Sequence, residues 1–228
     1  MIYDLDGTLC NSLNETMIHS YLALFPDTNA EGIQAGQRRR FLAHRHLIFR
    51  PTEFYGLWHC IRSGRPLDRQ AILRRLRTAG TKEKKIFYQR FLRLRGTLMT
   101  KSARKFASLN PLYPGVRRHF LGRKGKAVKK ILLTLKDRKS TYCLVRQHGL
   151  QFEKIYTGED FNTKKDALRK IQGDREGSGF LVLDDQEKHL REAKSLGMRA
   201  AWASWGFGRR PAGSWWRPGS FADLEKAW

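Results

Sequence analysis

Short apolar runs alternate with amphipathic stretches along the second half of the chain. The apolar runs have the length of buried strands and cover residues 130–134, 154–157, 180–184 and 199–203. The stretches between them have helical apolar spacing and cover residues 139–148, 164–171 and 186–196. Another apolar run, residues 1–4, begins the chain, and we expect its strand to be shorter than a central strand normally is. This alternation predicts a parallel α/β sheet with right-handed crossovers.

Residues 13–110 have a different pattern. Helical spacing recurs there, as in residues 69–78 and 84–106, and no run indicates a strand. A turn at Tyr113-Pro114-Gly115 marks the return to the α/β pattern. We therefore predict a doubly wound, Rossmann-like core formed by residues 1–12 and 111–228, with an α-helical domain inserted at 13–110. Residues 122–127 are interpreted as a basic turn rather than a phosphate-binding loop, because the glycine spacing is short and no Ser or Thr follows the lysine.

The chain is strongly basic. It contains 45 Lys and Arg against 21 Asp and Glu, a formal charge of +24, while 40% of its residues are hydrophobic, as in ordinary globular proteins. Residues 38–105 alone hold 20 Lys and Arg and only three acids. Such a surface attracts polyanions, whether nucleic acid, anionic membrane or phosphorylated substrate.

Cysteine spacing and hydropathy bear on the cellular compartment of the protein. Cys10, Cys60 and Cys143 are widely spaced without a C-x-x-C pair, which argues against a disulfide framework and a zinc ribbon. No stretch approaches 18 consecutive apolar residues, and Asp4 and Asp6 lie where a signal peptide would be basic and then apolar. We expect a cytoplasmic protein with no membrane partner.

Acidic side chains follow the predicted strands at the points where ligands bind in open parallel sheets. Asp4, with Asp6 two residues on, follows the first strand, and the pair Asp184 and Asp185 ends a later one. Several carboxylates in one place form the hard-oxygen environment that Mg²⁺ prefers. An ordinary Asp-Gly turn is the alternative for residues 4–8 taken alone. An EF-hand fits poorly, because the glycine comes too early and no helix precedes the loop.

These residues match the motifs of a known family. The string YDLDGTL at residues 3–9 resembles motif one of the haloacid dehalogenase (HAD) superfamily. The family's other elements follow in order: Leu-Leu-Thr at 132–134, Lys-Lys-Asp at 164–166 and Leu-Val-Leu-Asp-Asp at 181–185. The resemblance covers the whole chain except the details of the insertion. It is to phosphatase-type members with a helical cap, of the phosphoglycolate phosphatase kind.

The resemblance implies that the two acids of motif one have different roles. Asp4 would be the nucleophile that forms an aspartyl-phosphate, and Asp6 would be the general acid and base, which divides one difficult displacement into two easier steps. Family members that cleave carbon–halogen bonds lack an acid at the position of Asp6, so dehalogenation is not expected.

The resemblance also implies which groups bind the phosphoryl group. A lysine would neutralise charge there, and Lys164 is preferred to Lys165 because it keeps the family lysine's place directly before the helix. The residues expected to bind substrate are those of motifs one to three, namely Gly7, Thr8, Thr134 and Lys164. Taken alone, Thr134 is equally well explained as the cap of a strand end, and either lysine is better explained as a solvated helix start.

By the same resemblance, the acids expected to hold Mg²⁺ are those of motifs one and four, Asp4, Asp6, Asp184 and Asp185. Motif four departs from its commonest form, since Asp184 replaces a glycine and His189 replaces a later acid or amide. Counting back from Ala193 and Gly197 aligns Asp185 with the usual metal ligand. Which of the two neighbouring acids binds the metal directly stays open.

Two functions remain open at this stage. The first is a Mg²⁺-dependent phosphomonoester hydrolase whose basic helical cap closes over a phosphorylated small molecule. The second is a nucleic-acid-binding protein, or a phosphatase of nucleic-acid ends, on the same fold. It rests on the net charge and on basic runs at residues 38–40, 74–77 and 82–85, near the aromatic residues Phe87, Tyr88 and Phe91.

Overall fold

The computed structural model describes residues 1–64, 66–122, 129–173, 179–212 and 214–224. Apart from Gly122, the predicted basic turn at 122–127 lies outside these residues. The chain divides into two compact units: Met1–Ser12 with Asn110–Trp228, and Leu13–Leu109. Each unit has its own hydrophobic core. We call the first the α/β unit and the second the helical unit.

A five-stranded parallel sheet forms the centre of the α/β unit. Its strands are β1 (Ile2–Tyr3), β2 (Ile131–Leu133), β3 (Lys154–Tyr156), β4 (Leu181–Asp184) and β5 (Arg199–Trp202). They lie in the order β3-β2-β1-β4-β5, and every neighbouring pair is parallel. The short β1 is central, because Ile2 is paired with Ile131 on one side and Val182 on the other. The predicted α/β fold class is confirmed.

The helical unit contains α1 (Leu13–Leu24), α2 (Ala35–His44), α3 (Glu53–Arg62), α4 (Arg69–Thr78) and α5 (Thr81–Ser108). No strand occurs among its described residues. The helix predicted at 69–78 coincides with α4, where the Asp68 side chain caps the N-terminus by accepting from the Ala71 N–H. The helix predicted at 84–106 lies inside α5, which has a non-helical backbone at Ser102, with φ −162° and ψ 94°.

An ion pair is buried between α1 and α5. Arg95 donates from Nε to Glu15 Oε1 at 2.6 Å and from Nη2 to Oε2 at 2.8 Å. His19 Nδ1 lies 2.7 Å from Glu15 Oε1, one helical turn along α1. Glu15 and Arg95 are 0% and 2% exposed, so water does not solvate their charges. Each charge is stabilised by the other instead.

Five helices complete the α/β unit as described: α6 (Val116–Leu121), α7 (Arg138–His148), α8 (Lys164–Gln172), α9 (Glu187–Lys194) and α10 (Phe221–Leu224). The Asp137 side chain caps α7, and the Thr163 side chain caps α8. Because Thr163 is the N-cap, α8 starts at Lys164. Within the described ranges, no helix combines the length and the apolar character needed to cross a membrane.

Candidate active site

Polar side chains from four segments lie at the carboxyl edge of the sheet. Asp4 follows β1, Thr134 follows β2, Asp184 ends β4 with Asp185 directly after it, and Lys164 begins α8. All five are buried, with exposed fractions between 1% and 7%. Because parallel strands end at the same edge, these five side chains are brought together from distant parts of the sequence.

A tight turn carries the chain away from β1. The Leu5 carbonyl accepts from the N–H groups of Leu9 and Cys10, each at 2.9 Å. Gly7 has a φ of +87°, in the left-handed region that favours glycine. A Cβ atom at Gly7 would lie only 2.5 Å from Asp185 Oδ2. Glycine is therefore required both by the conformation of the turn and by its contact with Asp185.

Gly7 and Thr8, two of the predicted substrate-binding residues, have structural contacts within this turn. The Gly7 N–H donates to the Cys10 carbonyl at 2.8 Å. Thr8 is fully buried, and in the described part of the chain its Oγ1 has no hydrogen-bond partner. The Thr8 carbonyl accepts from Trp205 Nε1 at 3.0 Å. Substrate contact by Gly7 and Thr8 stays a prediction, whereas their part in building the turn is visible.

Lys164 connects two of the acids. Its Nζ donates to Asp4 Oδ1 and to Asp184 Oδ2, both at 2.7 Å. Lys165 is partly exposed, so of the two lysines weighed in the sequence it is Lys164 that lies among the acids. Burial acts to lower the pKa of Lys164, but the charges of Asp184 and Asp4 outweigh it and raise the pKa above its ordinary value. The ammonium group therefore stays charged.

The two acids bound to Lys164 differ in their ionisation. Burial, together with the charges of Asp184 and Asp6, raises the pKa of Asp4 to about 6 against the opposing charge of Lys164. Burial acts to raise the pKa of Asp184 too, but Lys164 and His189 hold it well below its usual range. Asp184 is thus the permanent negative charge, and Asp4 is the group that titrates near neutral pH.

Both carboxylate oxygens of Asp184 have partners. Oδ1 accepts from the Gln186 N–H at 2.8 Å. Oδ2 lies 3.1 Å from His189 Nδ1 and also accepts from Lys164. These contacts fix the orientation of Asp184 from three directions.

Asp185 is held by the loop after β5, which the sequence analysis did not identify. Its Oδ2 accepts from the N–H groups of Phe207 and Gly208, at 2.7 Å and 2.9 Å. A Cβ atom at Gly206 would lie 2.3 Å from Asp185 Cβ, and one at Gly208 only 1.7 Å from the Asp185 carbonyl oxygen. The two glycines allow the backbone to approach Asp185 closely. The signal in the sequence is a Gly-x-Gly segment, residues 206–208, which begins four residues after the end of the last strand.

Three of the four predicted metal ligands form a group that fits a cation. One oxygen from each of Asp4, Asp184 and Asp185 lies within 4.8 Å of the others. All three residues are buried, and carboxylate oxygens are the ligands that hard divalent cations prefer. Among the residues that the structure describes, the fourth, Asp6, has its carboxylate outside this group.

Asp6 is paired with Lys136, another residue that the sequence analysis missed. Lys136 Nζ lies 3.1 Å from Asp6 Oδ1 and 3.3 Å from Oδ2. The lysine side chain is completely buried, while that of Asp6 is 18% exposed. The Lys136 N–H also donates to Thr134 Oγ1 at 3.2 Å. Its signal is its position two residues after Thr134, in the loop that follows β2.

Comparison with solved structures identifies the fold. No protein-family model matches the sequence, and no curated protein does. Solved structures do match, although at identities too low to indicate more than the fold. A predicted phosphoglycolate phosphatase from Haemophilus somnus 129PT has a TM-score of 0.69 at 20% identity, over 99% of this chain and 96% of that one.

Two further structures agree with this match. A predicted phosphatase from Clostridium acetobutylicum has a TM-score of 0.65 at 16% identity, covering 99% of this chain and 95% of that one. A HAD-superfamily hydrolase of subfamily IA from Geobacter sulfurreducens PCA has a TM-score of 0.58 at 15% identity, covering 99% and 94%. The chain has the HAD fold.

Within the HAD fold, the departures in motif four have a structural explanation. Asp184, in place of the commoner glycine, adds a buried negative charge beside Lys164. His189, in place of the later acid, contacts that same carboxylate rather than a separate one. The two residues at which the sequence departs from the commonest form of motif four are therefore in direct contact with each other.

Proposed function

We propose that the protein is a Mg²⁺-dependent phosphomonoester hydrolase that acts through an aspartyl-phosphate on Asp4. The observation that carries this proposal is the environment of the Asp4 carboxylate. It is buried at the sheet edge, bonded to Lys164 and grouped with the oxygens of Asp184 and Asp185. The solved structures of the same fold named as phosphatases support the same reaction class.

In the first step, an oxygen of Asp4 attacks the phosphorus atom, and the bond between phosphorus and the ester oxygen breaks. Asp4 must be ionised to do this, and the Lys164 ammonium favours the charged form. Lys164 and the Thr134 hydroxyl stabilise the charge on the phosphoryl oxygens. A bound Mg²⁺, held by Asp4, Asp185 and Asp184, would supply further charge neutralisation.

Asp6 moves the protons. Its carboxyl group gives a proton to the departing ester oxygen, which leaves as an alcohol. It then takes a proton from the water that attacks the phosphorus of the aspartyl-phosphate, so that inorganic phosphate leaves and the Asp4 carboxylate is restored. The contact with Lys136 holds the Asp6 carboxylate in place while its side chain stays partly open to solvent.

For the substrate, we propose a phosphorylated small molecule with additional negative charge. The basic helical unit would select it as a cap, in the manner of capped members of the superfamily. The matched structure from Haemophilus somnus is named as a predicted phosphoglycolate phosphatase, which agrees with a small anionic substrate. We propose the cytoplasm as the site of the reaction, because Cys10, Cys60 and Cys143 are all free thiols.

The test is hydrolysis of an aryl phosphate, and of a panel of phosphorylated metabolites, with Mg²⁺ or with a chelator. We expect turnover only with Mg²⁺, and a fall of at least about a thousandfold in Asp4→Asn because the nucleophile is lost. Asp27→Asn is the matched control, since Asp27 is exposed in the helical unit. Absence of metal-dependent turnover on every substrate, or full activity in Asp4→Asn, would contradict the proposal.

A further inference from the structure

Five exposed cations lie on two consecutive helices of the helical unit, which a two-residue connection joins. They are Arg74 and Arg77 in the last turns of α4, and Lys82, Lys85 and Arg93 on α5. We call these five residues the basic surface. Across the described residues, none of the five is part of an ion pair.

Most acids of the helical unit lie away from the basic surface. Residues 13–109 contain 20 Lys and Arg against six Asp and Glu, a formal charge of +14. Glu15 is paired with Arg95, and Glu53 with Arg69. Asp68 accepts from the Ala71 N–H, and Glu83 accepts from the Gly80 N–H. The other two acids, Asp27 and Glu31, lie between α1 and α2, distant in sequence from the basic surface. Of these six acids only Glu83 adjoins the basic surface, between Lys82 and Lys85, so the surface keeps a net positive charge of about four for a partner to neutralise.

The backbone places the end of α4 close to the start of α5. Only Ala79 and Gly80 separate α4 from α5, so the Cα atoms of Thr78 and Thr81 are at most about 11 Å apart. On α5, Lys82, Lys85 and Arg93 lie within an arc of about 80°, over about 16 Å of the helix. Charges at this spacing match a chain of phosphates better than they match a single small anion.

Part of the arrangement opposes the stability of the helices that carry it. Arg74 and Arg77, and likewise Lys82 and Lys85, are like charges three residues apart, which repel on a helix surface. Lys82 and Lys85 are also at the N-terminal end of α5, where the helix dipole disfavours positive charge. The helix dipole favours Arg77 in the last turn of α4, but helix stability does not explain Lys82 and Lys85, whereas a polyanionic ligand does.

The surface is suited to a nucleic acid rather than to a membrane. A membrane-surface helix has an apolar face beside its basic one, but Phe87 and Phe91 of α5 are buried in the core of the unit. Ile86, which is 37% exposed, is a single apolar side chain and not a face. Arginine makes up 15 of the 20 basic residues of this unit, and its planar guanidinium group binds phosphate oxygens in pairs. We infer that the basic surface binds the phosphodiester backbone of a nucleic acid, without selecting a base sequence.

This inference is independent of the proposed hydrolase activity, and its test measures binding alone. Fluorescence anisotropy would follow labelled single-stranded and duplex RNA and DNA across a series of salt concentrations. A variant with all five residues of the basic surface changed to Gln is compared with a control of equal charge change on the α/β unit. The control positions are exposed and without ion pairs among the described residues: Lys139, Arg146, Lys154, Lys170 and Arg210.

We expect wild-type binding whose affinity falls steeply with salt, since each neutralised phosphate contributes a slope of about −0.9 on duplex DNA. The basic-surface variant should lose at least about tenfold in affinity and flatten this slope, while the control loses much less. A preference for RNA or for DNA would support the inference and identify the ligand. Thermal unfolding checks that each variant is folded, and a triple variant at Lys82, Lys85 and Arg93 replaces the fivefold one if that fails.

Three results would overturn the inference. One is the absence of wild-type binding to every nucleic acid in the series. The second is an equal loss in the basic-surface and control variants, which would show attraction by net charge alone. The third is binding to vesicles of mixed anionic and neutral phospholipid with no binding to nucleic acid.

Discussion

Asp4 is an acid that its surroundings make hard to ionise. Its pKa of about 6, raised from 3.8 by burial and neighbouring acids, means that the folded chain holds a proton there that the unfolded chain has lost. Asp4 therefore makes the free energy of unfolding fall as the pH rises from about 4 to about 6. Asp184, whose pKa is lowered, acts in the opposite direction: its contribution is present above its unfolded pKa and is lost as the pH falls.

This titration predicts that cation binding is linked to a proton. Mg²⁺ requires the ionised carboxylate, so we expect binding below about pH 6 to release a proton from Asp4 and binding near pH 8 to release almost none. Isothermal titration calorimetry in two buffers of different ionisation enthalpy measures the number of protons. Asp4→Asn should lack this pH dependence. Equal proton release at the two pH values would contradict the assignment.

Site residues could be found from the sequence where they belong to a short motif, and not where their position depends on how a loop folds. Asp4, Lys164 and Asp185 belong to short motifs, so their types and order point to them directly. Lys136 lies two residues after Thr134 and Gly208 belongs to a Gly-x-Gly segment, but neither signal indicates what the residue contacts. Their contacts with Asp6 and Asp185 arise only when the loops after β2 and β5 fold back toward the sheet edge, and neither loop conformation is encoded in a local pattern.

The loop after β5 is the least tolerant element near the acids. In Gly208→Ala, the new Cβ would lie 1.7 Å from the Asp185 carbonyl oxygen, so the loop or Asp185 must move. We expect a fall of at least about tenfold in kcat/KM for an aryl phosphate, with more Mg²⁺ needed for half-maximal activity, because productive geometry is lost.

Gly96→Ala provides the matched control. Gly96 lies inside α5, and an added Cβ there would meet nothing within 4 Å. This substitution should leave activity unchanged and stabilise the fold by about 0.5–1 kcal/mol. If Gly208→Ala retains both wild-type activity and wild-type Mg²⁺ dependence, the close approach of this loop has no functional consequence.

The ion pair between α1 and α5 governs the stability of the helical unit. Glu15→Gln would leave the buried Arg95 guanidinium without its carboxylate, and we expect a loss of about 3–5 kcal/mol in the free energy of unfolding. Urea denaturation measures this, with the exposed Glu31→Gln as control. Replacing both Glu15 and Arg95 by Met should cost less than Glu15→Gln alone. A loss below about 1 kcal/mol in Glu15→Gln would show that the buried charge has other partners.

The bounds of helices and strands were predicted most accurately where neighbouring residues mark them. The strands lie within the apolar runs, and α4 coincides with its predicted range because Asp68 marks its start. The helix predicted from residue 84 begins earlier, at Thr81, because Glu83 accepts from the Gly80 N–H and stabilises an extra turn. The break at Ser102 has no Pro or Gly at that position, so the sequence pattern did not indicate it.

At the scale of the whole molecule, the sequence predicts the fold well. It also shows the excess of positive charge, but only the structure shows which cations are exposed and unpaired. Alternation of strands and helices determines the parallel sheet, because each apolar run must be buried between helices. The excess of Lys and Arg was evident from composition. Its concentration on exposed, unpaired positions of α4 and α5 became visible only once the acids of the helical unit were found in caps and buried pairs.

The central claim is that Asp4 accepts the phosphoryl group and Asp6 moves the protons. The most direct test is mass spectrometry of Asp6→Asn mixed with a phosphomonoester that has a good leaving group, in the presence of Mg²⁺. Since that leaving group needs no proton but the second step needs a base, we predict that phosphate accumulates on Asp4, with turnover about 10²–10⁴-fold slower than in wild type. A phosphoryl group on another residue, or Asp6→Asn turning over at the wild-type rate, would contradict the account.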